Sequence, residues 1–298
     1  MKIAVIGLGG VGGYLCASFT KAGYDVVGFA RGEHLKEIQK DGLTIIEDTR
    51  TWNQKLEVKT LEEIDSYFDV IIFCVKSYDL KESYNKISKY IDSKTILLSF
   101  SNGVNNGDIL RELSNSIVLD GCIYILSHIE DVATIRKKGK VFAGVFGGDK
   151  ESTLKLSQIF KDSSLRYKTP SDIKTALWKK YVFISAFATA TSYYDESIGF
   201  VYKNHKETMK ELLKEIANVA KAKEIDISQE IEKSLDTASK VPYDSSTSMH
   251  LDFQKGKKVE LDSLSKYIVG EGEKYDISTP IMRKMYQKLQ KKVIYEKR

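Results

Sequence analysis

The chain opens on an apolar run, Ile3-Ala4-Val5-Ile6, which breaks at Gly7 and gives way, past a glycine-rich stretch, to the helical pattern of Tyr14-Leu15-Cys16-Ala17. A second run, Asp25-Val26-Val27-Gly28-Phe29-Ala30, reads as the next strand. Further β-rich runs follow at residues 43–46 and 56–58, then a strongly apolar strand at 70–75, a helical pattern at 80–90 and another buried strand at 95–100. Strands apolar on both faces and separated by helices predict a parallel sheet covered on two sides. Residues 117–147 turn β-rich with glycine punctuation and are expected to extend that sheet at its edge. A helix near 151–160 completes the region.

Pro170 marks a change of period. Ser171 is a candidate N-cap, and residues 172–191 are apolar almost all round a helix, with no glycine or proline to stop it, so this helix must be buried. Helical patterns then recur at 206–223, 227–239, 246–254 and 259–275, and a last one follows Thr279-Pro280 to about residue 294. With no internal repeat and no low-complexity linker, the pattern predicts an α/β domain at 1–169 and an all-helical domain at 170–298, expected to close on a cleft.

Composition narrows the class. The chain has 298 residues, 42% hydrophobic and 29% charged, an ordinary globular balance. No apolar stretch approaches the about 18 residues of a membrane span, and Met1-Lys2 leads straight into a strand, so a cytoplasmic protein is expected. Cys16, Cys74 and Cys122 are scattered among apolar stretches and read as free buried thiols. His34, His128, His205 and His250 show no ligand spacing, so no metal is expected. A net charge of +5 is mild, and the basic stretch 283–298 reads as the outer face of a terminal helix and not as a nucleic-acid arm. The balance suits small anionic ligands.

The glycine pattern supplies the first candidate chemistry. In Gly7-Leu8-Gly9-Gly10-Val11-Gly12, the first glycine permits a tight turn, the second leaves room for a pyrophosphate, and the third lets helix and strand pack closely. The helix start then offers free N–H groups to phosphate. About twenty residues on, where a carboxylate usually meets the ribose of NAD, stands Arg31, which suits a 2′-phosphate and predicts NADP(H). A plain strand-to-helix turn with a solvated arginine accounts for the same residues without a ligand.

Other candidates carry structural alternatives too. Lys179-Lys180 lies mid-helix among Ala176, Leu177, Phe183 and Ile184, where desolvation would lower an ammonium's pKa toward a general-acid range, or both lysines snorkel to solvent. Glu260 opens a helix, where a carboxylate also serves the helix dipole. Asn102-Gly103 follows a strand and reads equally as a turn, and Lys76 stands at a strand's C-terminal end, where open α/β sheets bind ligands.

Together, the glycine motif, Arg31, Val75-Lys76, Ser101-Asn102-Gly103, Leu177-Trp178-Lys179-Lys180, Ser248-Met249-x-x-Asp252 and Gly256 to Glu260-Leu261-Asp262 resemble the 2-dehydropantoate 2-reductase (ketopantoate reductase) family across nearly the whole chain. The resemblance implies a Rossmann-type doubly wound domain followed by an all-helical, 6-phosphogluconate-dehydrogenase-like domain. It implies NADPH-dependent reduction of ketopantoate to pantoate, on the route to coenzyme A. Lys180 would be the general acid, Glu260 would bind substrate hydroxyl and position the lysine, Ser248 would meet the substrate carboxylate, and Lys76 and Asn102 would line the site near the nicotinamide. The expected partner is a small anionic 2-oxo acid, with neither nucleic acid nor membrane, and a homodimer is allowed for.

The chain departs from that family at positions that usually carry substrate asparagines, which here are Ile184, Ala188, Ile198 and Ser265. Lost amides remove polar readout of the hydroxy acid, so a reductase of a more apolar 2-oxo acid stands beside the first reading. A non-catalytic NADP(H)-binding sensor is the third.

Overall fold

A computed structural model of the chain describes residues 1–295; residues 296–298, the end of the basic stretch, lie outside the described residues. The chain divides into two compact units: Met1–Ser101 with Asn105–Ile173, and Asn102–Val104 with the residues from Lys174 onward.

The first unit runs β1 (Lys2–Ile6), α1 (Gly10–Lys21), β2 (Asp25–Phe29), α2 (Gly32–Asp41), β3 (Leu43–Glu47), β4 (Thr51–Gln54), β5 (Glu57–Lys59), β6 (Val70–Phe73) and α3 (Leu80–Ile87). It continues with β7 (Ile96–Ser99), α4 (Asn106–Leu113), β8 (Ile117–Asp131), β9 (Thr134–Gly147), α5 (Lys150–Asp162) and β10 (Tyr167–Lys168). β5, β2, β1, β6, β7 and β8 lie side by side and parallel, the doubly wound order anticipated from strands apolar on both faces. Every residue of β6 and β7 is buried.

The sheet does not end at the β8–β9 hairpin. β3 leaves β2 and instead joins β9 in parallel, with β4 antiparallel beyond it, so β4 and β5 are the edges and the expected edge position of residues 117–147 is corrected. The result is a curl. Helix α1 touches β1 and β2 as well as β3, β4, β8 and β9, which buries residues 12–19. Small residues make that possible: a Cβ on Gly10 would lie 2.6 Å from the Ser127 backbone, and one on Gly13 would lie 2.2 Å from Ile135 Cδ1.

Several short elements escaped the hydrophobic pattern. Helix α4 begins in Asn105-Asn106-Gly107, which reads as a turn, yet Asn106 is buried and its amide donates to Ser101 O at 2.9 Å.

The second unit is helical: α6 (Ile173–Tyr194), α7 (Ile198–Asn204), α8 (Lys206–Ala222), α9 (Glu230–Lys240), α10 (Ser248–Gln254), α11 (Tyr267–Lys274) and α12 (Pro280–Tyr295). Helix α6 is as buried as its sequence requires, and α8 and α12 pack in the same apolar cluster through Leu212, Leu213, Ile216, Met282 and Leu289. A residue in the left-handed region, Asp195 at φ 59°, ends α6, and Ser197 caps the unforeseen α7 by accepting from Phe200 N–H. The regular helix expected over 259–275 is broken by a π-helical turn, Asp262–Lys266, before α11. No helix among the described residues is long and apolar enough to cross a membrane.

Glu215, buried in α8, caps α12 by accepting from the N–H groups of Ile281 at 2.8 Å and Met282 at 2.9 Å. Pro280 has no N–H to offer, so these two donors are the first turn's orphans. Glu215→Ala leaves them unmet in an apolar setting and is expected to cost about 1–3 kcal/mol, read as a lower urea midpoint. A wild-type midpoint in that variant would show that α12 needs no cap.

Candidate functional site

Strand register places the first unit's candidates. Ile6 stands opposite Phe29 and Phe73, and Phe73 opposite Ser99, so Gly7, Ala30, Cys74 and Phe100 leave the sheet at one level, at the carboxyl ends of four parallel strands. Ligands bind open α/β sheets at such an end. Gly7 takes φ 92°, which glycine adopts without strain, and its N–H donates to Phe29 O at 2.9 Å. A Cβ on Gly12 would sit 2.0 Å from Gly7 O, so helix and strand touch only because it is absent. At Gly9, by contrast, nothing lies within 4 Å of the same point. No side chain caps α1, which leaves its first-turn N–H groups without a side-chain acceptor. Gly7, Leu8, Gly9, Gly10, Val11 and Gly12 therefore fit a dinucleotide pyrophosphate, with Leu8 buried and contributing backbone only.

Arg31 stands just past β2, its side chain 91% exposed and 3.7 Å from the Asp79 carboxylate. Lys76, half-buried, leads into the short turn Ser77–Asp79 that carries that carboxylate. The structure thus draws Arg31 and the segment after β6 together, and Asp79 is a neighbour that no sequence motif pointed to.

His34 is a second such residue. Its Nδ1 accepts from Ala133 N–H at 3.1 Å, which leaves Nε2–H to donate to Leu8 O at 2.9 Å. One neutral imidazole ties the glycine turn to the tip of the β8–β9 hairpin, and burial holds its pKa below the ordinary 6.5.

The second unit gathers the remaining candidates. Glu260 is 3% exposed, and its Oε2 accepts from the Asn102 amide at 3.2 Å. Of the lysine pair on α6, Lys179 is exposed and Lys180 half-buried, so Lys180 is the one turned toward the protein. The next residue, Tyr181, donates its hydroxyl to Ser263 O at 2.7 Å, three residues beyond Glu260. Ser248 is exposed in the first turn of α10, whose cap Thr247 bonds Thr191 of α6 at 2.8 Å. Buried His250 steadies the same helix between Ser246 Oγ at 2.6 Å and Asp195 Oδ1 at 2.8 Å, and this hydrogen bond keeps the Asp195 carboxyl below the usual range.

Of the four positions that depart from the resemblance, Ile184 is half-buried and Ala188 and Ile198 are buried in the helical core. Ser265 is fully buried, and its hydroxyl is engaged by Thr189 Oγ1 at 2.7 Å. Hydroxyls every fourth residue inside an apolar helix were the sequence signal for that contact.

Comparison with known proteins agrees over both units. The family described as "Ketopantoate reductase PanE/ApbA" matches residues 3–147, and its C-terminal family, "Ketopantoate reductase PanE/ApbA C terminal", matches residues 172–293. An uncharacterized oxidoreductase, YkpB of Bacillus subtilis, is 25% identical, covering 97% of this chain and 98% of its own. A PanE/ApbA family ketopantoate reductase from Ralstonia eutropha superposes with a TM-score of 0.94 at 23% identity, covering 100% of both chains. A D-mandelate dehydrogenase solved with NADH and anilino(oxo)acetate superposes at 0.91 with 20% identity, again over 100% of both.

The His34 clamp has a pH signature. Because its folded pKa is depressed, its contribution to stability is present above the unfolded value of 6.5 and is lost as pH falls through the folded pKa. Thermal scans from about pH 8 to about pH 5 should show a loss of stability on acidification that is shallower in His34→Gln. Identical slopes would contradict the clamp.

Proposed function

The chain belongs to the ketopantoate reductase PanE/ApbA family of oxidoreductases, and on that premise we propose that it reduces a 2-oxo acid to the 2-hydroxy acid with NADPH, ketopantoate being the leading substrate. The observation that carries the reading is the buried Glu260 carboxylate bonded to Asn102, in the same unit as the inward-turned Lys180. Nothing in helix packing demands a withdrawn carboxylate there, whereas a substrate hydroxyl and an ammonium both need an acceptor.

When bound, the dihydronicotinamide supplies hydride to C2 of the oxo acid. The Lys180 ammonium stabilises the negative charge growing on the C2 oxygen and delivers the proton that makes it a hydroxyl. Glu260, steadied by the Asn102 amide, accepts from a substrate hydroxyl and orients Lys180. Ser248 Oγ, exposed at the start of α10, donates to the substrate carboxylate. Lys76 places a positive charge at the carboxyl end of β6, favouring anionic groups. Gly7 to Gly12 hold the pyrophosphate and Arg31 pairs with the 2′-phosphate, a role its exposed guanidinium leaves open despite the neighbouring Asp79.

A more apolar 2-oxo acid is the second reading, favoured by the absence of a side-chain amide at half-buried Ile184 and by the likeness to a mandelate dehydrogenase fold. NADPH oxidation with ketopantoate, 2-oxoisovalerate and an aromatic 2-oxo acid separates the two. Turnover on ketopantoate alone would remove the second; turnover only on the others would remove the first.

Lys180→Ala is expected to lose at least about 10²-fold in kcat while NADPH affinity is kept. Unchanged turnover would sink the catalytic role of Lys180, and a wild-type protein that binds NADPH but turns over no 2-oxo acid would favour a nucleotide sensor. Arg31→Ala should weaken NADPH binding far more than NADH binding in fluorescence titrations. Equal weakening would mean that Arg31 does not meet the 2′-phosphate.

A further inference from the structure

Three buried hydroxyls on α6 lie at four-residue spacing, and each reaches the π-helical turn that follows Glu260. Tyr181 Oη donates to Ser263 O at 2.7 Å, Ser185 Oγ donates to Leu264 O at 2.5 Å, and Thr189 Oγ1 bonds Ser265 Oγ at 2.7 Å. The three are 1%, 0% and 0% exposed, so no water competes for these contacts. The turn itself hangs from Glu260, whose carbonyl accepts from Leu264 N–H at 3.1 Å and from Ser263 Oγ at 3.2 Å.

A π turn inserts one extra residue into a helix and takes a carbonyl off the regular ladder; here α6 supplies side-chain donors to the carbonyls of Ser263 and Leu264. Apolar packing alone is tolerant of small slips along or around a helix, because hydrophobic contact has no direction. Hydrogen bonds have direction and are costly to leave unmade in a dry interior. The row Tyr181, Ser185, Thr189 is one face of α6, and the row Lys180, Ile184, Ala188 is its neighbour, offset by about 100° of helical rotation. Fixing the first row fixes where the second points.

We infer that Tyr181, Ser185 and Thr189 are positioning residues: they lock the rotation and register of α6 against the π turn, and thereby set Lys180 relative to Glu260. The inference rests on the catalytic reading of that pair. It also accounts for Ser265, whose hydroxyl is the third contact of the lock and not a reader of substrate.

The experiment is a double-mutant cycle on the full-length protein, with kcat, KM for the 2-oxo acid, NADPH affinity and melting temperature measured for each variant. Tyr181→Phe with Ser185→Ala keeps ring and backbone while removing the two donors. This variant should lose about 10- to 100-fold in kcat, the scale of a misplaced reacting group, with NADPH affinity unchanged. Placed in a Glu260→Gln background, the same pair of changes should cost little more than Glu260→Gln does alone, since the Lys180–Glu260 pairing that the lock sets is already broken. Thr189→Val should show a smaller loss of the same kind, and Thr189→Ser should restore wild-type turnover.

A fall in melting temperature with wild-type kcat, or losses that simply multiply in the Glu260→Gln background, would make the contacts merely structural and overturn the inference, leaving the catalytic reading intact. Wild-type kcat in Glu260→Gln alone would overturn the catalytic reading and this inference with it. If the double variant fails to fold, Thr189→Val and its serine rescue decide between positioning and structural roles from the third contact: reduced kcat restored by serine supports the lock, and wild-type kcat in Thr189→Val overturns it.

Discussion

A carboxylate withdrawn from water is tolerated only where polar groups meet it, and Glu260 is the point at which that constraint shapes the second unit. The Asn102 amide comes to it from a tripeptide that groups with the helices although its neighbours in sequence belong to the sheet. Behind it, the chain departs from regular α-helix for five residues, and α6 supplies the hydroxyls that this departure requires. Burial of one acid thus organises a strand-end segment, a π turn and the longest helix of the unit.

The first unit meets a different constraint, close packing of a helix start on a strand end, with no side-chain charge in its turn. No side chain caps the backbone N–H groups at this helix start, and missing side chains leave space at Gly9 and close contact at Gly12. Curling the sheet around α1 buries residues 12–19 against strands from both halves of the sheet. His34 adds a polar tie between the glycine turn and the hairpin, so the turn's geometry is held by hydrogen bonds as well as by packing.

The parts of this architecture that were legible in the sequence are those dictated by local periodicity. Strands buried on both faces announce themselves as unbroken apolar runs, as at residues 70–73 and 96–99, and α6 does so by lacking a polar face. Strand order beyond the parallel core was not legible, since nothing local in residues 43–47 says that they pair with β9 and not with β2. The short α7 was hidden by its length, and the π turn by the fact that Asp262-Ser263-Leu264-Ser265-Lys266 has ordinary helical composition. For the site, the glycine turn was readable because each glycine answers a separate steric need. The burial of Glu260 and its bond to Asn102 were not, because a carboxylate in a first helical turn looks the same in sequence whether it faces solvent or the core.

We propose that hydride from a bound dihydronicotinamide ends on the C2 carbon of a 2-oxo acid. NADPH deuterated at both nicotinamide C4 positions tests it most directly, with the product examined by mass spectrometry and proton NMR after turnover of a 2-oxo acid. The expected product carries one deuterium, bonded to C2 of the 2-hydroxy acid, with none exchanged into water. A hydroxy acid carrying no label at C2, or nucleotide bound and left unoxidised with every 2-oxo acid offered, would contradict it.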